Sequence, residues 1–306
     1  MAFVDSYLAL RRAAGYKLRA VEGRLRSFAR FAEARGESHI RANTAIVWAA
    51  EAVSPRQMHV RLRDVAVLAR HLRSEDPAHE VPDPRVYPRQ PDVREPYIYS
   101  DNEVARILAA AAHLGPVGSS RPDTYRTLFG LLAATGMRIG EALRLRLSDH
   151  MGDTLRIRRT KFRKSRLVVL HPTVATVLAD YRVQWRGIVT EDGPLFVSTR
   201  GTALGSDGVF STFDKMLRSE GMRTDVRTGR RERPSPALRD FRHTFAVRSL
   251  ERCPRTRPEI DRHMLALATY MGHVSVAGTY WYLSATPRLM SDVADACEAW
   301  SRGGIQ

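Results

Sequence analysis

Apolar residues recur at helical spacing through the first eighty positions. Phe3, Tyr7, Leu8 and Leu10 open one stripe, and Val21, Leu25, Phe28 and Phe31 follow at i, i+4, i+7 and i+10. Ile46, Val47 and Trp48 begin a second apolar stretch, and Leu62, Val65, Leu68 and Leu72 form another stripe of the same period. Arg and Lys fill the faces between them. The pattern predicts a small helical domain over residues 1–80.

The periodicity then breaks. Pro77, Pro82, Pro84, Pro88, Pro91 and Pro96 fall between Asp76 and Pro96. Proline removes backbone donors and forbids regular helix, so residues 81–96 are expected to be an extended, semi-stiff linker. A second domain, 97–306, opens at Ser100, where Ser with Glu103 three positions on predicts a capping box and a helix through VARILAAAA. Another helix runs from about Pro122 to Gly136, where glycine supplies the helix stop. MRIGEALRLRLSD is expected as a further helix with Leu143 and Leu147 on its apolar edge.

From Thr154 to Leu170 the period changes to two. TLRIRRT alternates, KFRKS is a basic turn and RLVVL is a β-branched run, which together predict a hairpin with a cationic tip. Helices resume at about Pro172–Gly187 and after Gly208, Ser235 and Arg262. Met290, Val293, Cys297 and Trp300 place an amphipathic helix at the chain end. The fold class that follows is mostly α with a small antiparallel β-sheet: a helical N-terminal domain and an α+β second domain.

Charge narrows what such a chain does. Lys and Arg number 49 against 33 Asp and Glu, for a formal net charge of +16. A polyanionic partner is the simplest reason for that excess, against the bland alternative of a basic enzyme from an Arg-rich genome. Cys253 and Cys297 have neither disulfide-framework nor zinc-site spacing, which fits a reducing, cytoplasmic compartment. Charges interrupt the N-terminal apolar positions early, and no run approaches the length of a membrane span, so no membrane partner is expected.

Four places carry candidate chemistry. Arg138 follows the glycine that ends a helix and precedes another helix start, a position that favours anions, and Glu141 one turn later can hold it. Lys161 lies at the hairpin tip with Arg163, Lys164 and Arg166 as competitors, most of them suited to phosphate contacts. Arg239 and Arg242 share a helix face beside His243, which reads as structural. His273 precedes Tyr282 by nine positions. Arg230 and Arg231 belong to a cationic segment, 223–233, placed to contact backbone phosphates.

Each place is weak by itself, but their order is not. ATGxRxGEAL, a basic hairpin, FRHTFA and GHxxxxxTxxY succeed one another as in the tyrosine recombinases of the phage integrase type, which the chain resembles over nearly its full length, its mobile-element branch most of all. The resemblance implies that Tyr282 attacks a DNA phosphate and forms a 3′-phosphotyrosyl bond. It implies that Arg138, Arg242 and His273 stabilise the pentacovalent phosphate, that Glu141 supports Arg138, and that Lys161 protonates the leaving 5′-oxygen. Arg239 stands where the family usually has His or Lys, and a guanidinium is no general base. The partners implied are double-stranded DNA, further copies of the chain in dimers and tetramers, and accessory DNA-bending or partner recombinase proteins. No cofactor or metal is implied. Alternatives of other classes are a type IB topoisomerase-like nicking-closing enzyme, a non-catalytic DNA-binding accessory protein, and a metal-dependent nuclease. The last would need clustered carboxylates, which Asp149, Asp153 and Asp240 do not form.

Overall fold

The computed structural model describes residues 2–16, 18–89, 96–158, 165–184, 190, 192–223, 235–253, 257–273, 275–280 and 282. The chain divides into two compact units, Met1–Val93 and Arg94–Gln306.

The first unit is built from α1 (Ala2–Ala13), α2 (Arg19–Glu33), α3 (Ala42–Ala50) and α4 (Pro55–Arg73). Ser54 caps α4 by accepting the Gln57 N–H, and Pro55 takes the first helical position, where a missing donor does no harm. The apolar stripes meet in one core around Leu8, Leu25, Phe28, Trp48, Leu62 and Leu68. Phe28 and Trp48 contact edge to face, with centroids 5.4 Å apart. Residues 81–89 depart from the expected linker. Val81 and Tyr87 pack onto this core, the Tyr87 hydroxyl donates to the Ile46 carbonyl, and His59 Nδ1 lies 2.7 Å from the Tyr87 carbonyl. The prolines are compatible with this because the segment needs few backbone donors. It makes a single 3-10 turn, Pro84–Val86, capped by Asp83.

The second unit starts as predicted. Ser100 and Glu103 form a reciprocal capping box at the head of α5 (Asp101–Ala112). Next, α6 (Arg121–Thr135) ends at Gly136, whose φ of 59° is left-handed. The expected long helix after Met137 is one turn only, α7 (Ile139–Ala142). The chain leaves the helix because another segment competes for its backbone: Leu147 N–H donates to the Gly193 carbonyl and Leu195 N–H to the Leu145 carbonyl. Asp149, buried, then accepts the Arg146 N–H and closes a 3-10 turn.

The sheet follows: β1 (His150–Met151), β2 (Thr154–Ile157) and β3 (Arg166–Val169), antiparallel in that order. Leu155, Ile157 and Val168 face the core, while Leu167 and Val169 face outward, as the period of two requires. Ile157 pairs with Arg166, so these two residues form the base of the hairpin. The remaining described helices are α8 (Pro172–Gln184), α9 (Ser206–Ser219), α10 (Asp240–Glu251), α11 (Arg257–Met271) and α12 (Ala277–Tyr280). The amphipathic helix expected at 290–300 lies outside the described residues.

Tyr99, Phe129, Phe213 and Phe241 fill the centre of this unit, with Tyr99 stacked on Phe241 at 4.9 Å and Phe129 against Phe213 at 5.2 Å. That cluster pins α10 against α6 and so fixes the helix that carries Arg242. A smaller core joins Val247, Leu250, Met264, Leu267 and Met271 to Tyr282. Among the described residues, no helix is long and apolar enough to cross a membrane.

Candidate active site

Arg138 stands at the N-cap of α7. Its own N–H donates to Glu141 Oε2 at 3.2 Å, its Nη1 to Glu141 Oε1 at 2.9 Å, and its Nη2 reaches the Gly272 carbonyl at 3.4 Å. Its side chain remains 39% exposed, so the guanidinium keeps a face for a ligand. Arg242, on α10, is buried. It donates to the carbonyl of Gly136, the C-cap of α6, at 2.8 Å and to that of Met271, the last residue of α11, at 2.9 Å, and its charge favours the ionised form of Tyr282. Burial and then neighbouring Arg138 bring its pKa down to about 10, which leaves it a cation at neutral pH.

Two glycines make this approach possible. Gly136 has no side chain where a Cβ would lie 2.6 Å from the Phe245 ring. Gly272, with φ +68°, turns the chain from α11 towards His273, and a Cβ there would lie 2.7 Å from Arg166 Nη1.

His273 Nδ1 pairs with the buried Thr279 Oγ1 at 2.7 Å. Burial, followed by Arg242, Arg138 and Arg166, drives the His273 pKa down to about 4, so the ring is neutral. It stacks against Tyr282 with centroids 6.1 Å apart and planes 14° off parallel, and His243 packs on the same tyrosine at 5.5 Å. Tyr282 itself is buried. Burial raises its pKa, and the guanidiniums of Arg242 and Arg138 pull the other way. Glu141 is also buried. Burial opposes its ionisation, but Arg166 and Arg138 overcome that and hold its pKa at about 2. Three guanidiniums against one carboxylate leave the cluster with an excess of two positive charges around a tyrosine hydroxyl. Such a site attracts a phosphate and stabilises charge added to it.

The comparisons with known proteins follow the same line. A model described as the phage integrase family matches residues 98–288. The chain belongs to the phage integrase family. The y4rB integrase/recombinase of Sinorhizobium fredii is 38% identical over 300 residues, covering 94% of each chain. The tyrosine recombinase XerC of a Methylobacterium species is 32% identical over 251 residues, 79% of this chain and 71% of the relative. A lambda integrase dimer bound to a COC′ core site superposes with a TM-score of 0.63 at 17% identity, covering 92% of this chain and 76% of that one. The Tn1549 transposon integrase, in complex with transposon right end DNA, gives 0.62 at 14% identity over 93% of this chain and 94% of that one. At those identities the likeness is one of fold. With the family and its sequence relatives, this phage integrase family member is a tyrosine-type recombinase, an enzyme of DNA strand cleavage and rejoining.

The structure thus gathers Arg138, Glu141, Arg242, His273 and Tyr282 in one place. Arg239 stands at the N-cap of α10, one turn before Arg242, with its side chain 57% exposed beside the buried Asp240. Arg166 departs from its expected place among the phosphate contacts. Its side chain is only 10% exposed and is engaged with Glu141 and the Tyr270 carbonyl. Lys161, Arg163, Lys164, Arg230 and Arg231 lie outside the described residues. Sequence reasoning gave no role to Thr279, although it stands in the GHxxxxxTxxY string, nor to Gly272 or Phe245. The signal of Thr279 is a hydrogen bond and those of Gly272 and Phe245 are steric, and all need the partner in view. Among the described residues, His39, Asp76 and His79 of the first unit bring one ligand atom each within 4.8 Å, but His79 Nδ1 already accepts the Ile40 N–H and Asp76 the Ala78 N–H.

Proposed function

We propose that Tyr282 is the nucleophile of site-specific DNA strand exchange. Its oxygen attacks a backbone phosphorus, the new O–P bond replaces the P–O5′ bond, and the strand end is held as a 3′-phosphotyrosyl ester while a 5′-hydroxyl leaves. A 5′-hydroxyl of a partner strand reverses the step. The ester keeps the phosphodiester energy, so the cycle needs no nucleotide hydrolysis. The observation that carries this reading is Tyr282 buried against the His273 ring, in the field of the Arg242 and Arg138 guanidiniums.

Arg138 and Arg242 grip the non-bridging oxygens, and preorganised donors of this kind are worth roughly 3 kcal/mol each in the transition state. Thr279 donates to His273 Nδ1, which leaves the one proton of the neutral ring on Nε2 for the phosphate. Lys161 protonates the departing 5′-oxygen. The proton of Tyr282 goes to an imidazole rather than to Arg239, since a guanidinium does not deprotonate. His273, with its pKa near 4, is a poor base, and His243, whose ring packs on the same tyrosine, takes this role. Arg239, Arg163, Lys164, Arg230 and Arg231 serve the DNA backbone. The enzyme acts on duplex DNA as pairs of protomers on each partner duplex, with accessory DNA-bending or partner recombinase proteins in the full assembly.

A library of nicked duplexes that lose the 5′-hydroxyl fragment after cleavage tests this in EDTA. An SDS-resistant adduct with wild type and none with Tyr282→Phe, at equal DNA binding, is the expected outcome. An adduct that survives Tyr282→Phe, or cleavage that EDTA abolishes, would refute the assignment.

A further inference from the structure

Arg166 has the residue type and the neighbourhood of a phosphate contact, at the base of a cationic hairpin. Its surroundings engage it inside the protein instead. Nε donates to the Tyr270 carbonyl at 2.8 Å, Nη1 to Glu141 Oε1 at 3.2 Å and Nη2 to Glu141 Oε2 at 2.8 Å. Every guanidinium nitrogen therefore has a partner inside the protein, and Glu141 is held in a two-bond fork. The contact is built from both sides, because the bare Cα of Gly272 is what lets the guanidinium in.

The segments it joins are the three that carry the chemistry. Arg166 opens β3 five positions after Lys161. Glu141 is the residue on which Arg138 rests, through both its backbone and its side chain. Tyr270 precedes Met271, whose carbonyl holds Arg242, and Gly272, whose carbonyl meets Arg138. The Tyr270 ring stacks on Phe245 at 5.5 Å, and its hydroxyl donates to the Val169 carbonyl at the far end of β3.

We propose that Arg166 is a positioning residue for strand cleavage: it locks the hairpin base, the Arg138–Glu141 turn and the Gly272 turn into one frame. A second effect follows from its charge. Glu141 shared between two guanidiniums binds each less exclusively, so Arg138 keeps donors free for the phosphate. The proposal rests on the reading of Arg138, Arg242 and Tyr282 given above.

The test compares wild type, Arg166→Gln and Arg166→Lys on a cleavable suicide duplex, with binding measured across a salt series and cleavage measured at saturating enzyme. For Arg166→Gln the expected result is a fall of about 100-fold in the cleavage rate of the bound complex. DNA affinity should stay within about twofold, and the slope of log affinity against log salt should be unchanged. Arg166→Lys should recover only part of the rate, because an ammonium cannot make the fork. A slope that drops by about 0.9, with bound-complex cleavage intact, would make Arg166 a phosphate contact and overturn the proposal. Wild-type cleavage by Arg166→Gln would also overturn it. If both variants lose DNA binding and cooperative melting, Arg166 is a folding element and the proposal falls. Wild type that binds DNA and forms no adduct would instead count against the nucleophile assignment.

Discussion

Glu141→Gln exposes how much of the site is held by one buried charge. The carboxyl pKa is held at about 2 against an ordinary 4.5, although burial alone would raise it, because Arg166 and Arg138 converge on it. At about 1.4 kcal/mol per tenfold, that preference for the charged form amounts to roughly 3 kcal/mol. The side chain is 3% exposed, so solvent screening removes little of this. Glutamine keeps the shape and loses the charge, leaving three guanidiniums without their counter-ion. Loss of roughly 3 kcal/mol should lower the midpoint of thermal unfolding of a unit this size by about 6–12 °C. The pH dependence gives a sharper signature. A depressed carboxylate contributes its full stabilisation above the unfolded pKa and loses it as pH falls through the folded one, here between about 5 and about 2. The gap between wild type and Glu141→Gln in urea unfolding should therefore shrink by roughly 1 kcal/mol between pH 7 and pH 3.5. A gap below about 1 kcal/mol at pH 7, or one that does not change with pH, would refute the electrostatic account.

Three other outcomes follow from the same geometry. Gly136→Ala places a methyl 2.6 Å from the Phe245 ring at a left-handed φ; it should destabilise by roughly 2–4 kcal/mol, with part of the loss relieved in the Gly136→Ala/Phe245→Ala double variant. His273, depressed by burial and by three arginines, should titrate near 4 by NMR. The folded protein then binds that proton less readily than the unfolded chain, so stability should decline as pH falls from about 6.5 towards about 4; a His273 midpoint near 6.5 would contradict the arrangement. His243→Ala should slow cleavage by roughly 100-fold or more at unchanged DNA affinity, and Arg239→Ala should weaken binding and flatten the salt slope while sparing the bound-complex rate; the reverse pattern would reassign the proton acceptor.

The sequence was most legible where a local rule decides the outcome. The capping box at Ser100, the helix stop at Gly136 and the alternation of Leu155 and Ile157 each depend on a few neighbouring residues, and each stands where it was expected. Length was less legible where distant backbone competes. Nothing in MRIGEALRLRLSD announces that residues 193–195 take its hydrogen bonds after a single turn. The proline-rich stretch hid a similar long-range effect, since Val81 and Tyr87 are apolar handles for a core formed by residues far earlier in the chain. In the site, order and spacing brought out Arg138, Arg242, His273 and Tyr282, because the chemistry constrains those residue types. Arg166 was read as one more cation in a basic hairpin. Only the fold reveals that a strand register and a glycine 106 positions on turn it inward onto Glu141.

Strand exchange through Tyr282 requires that one named oxygen become covalently bound to DNA. Trapping wild-type enzyme on a suicide duplex, digesting the adduct and locating the nucleotide mass by tandem mass spectrometry tests it directly. A 3′-linked nucleotide is expected on Tyr282 and none on Tyr280, two positions away in the same peptide. A nucleotide on Tyr280, on a serine or on a histidine would contradict it.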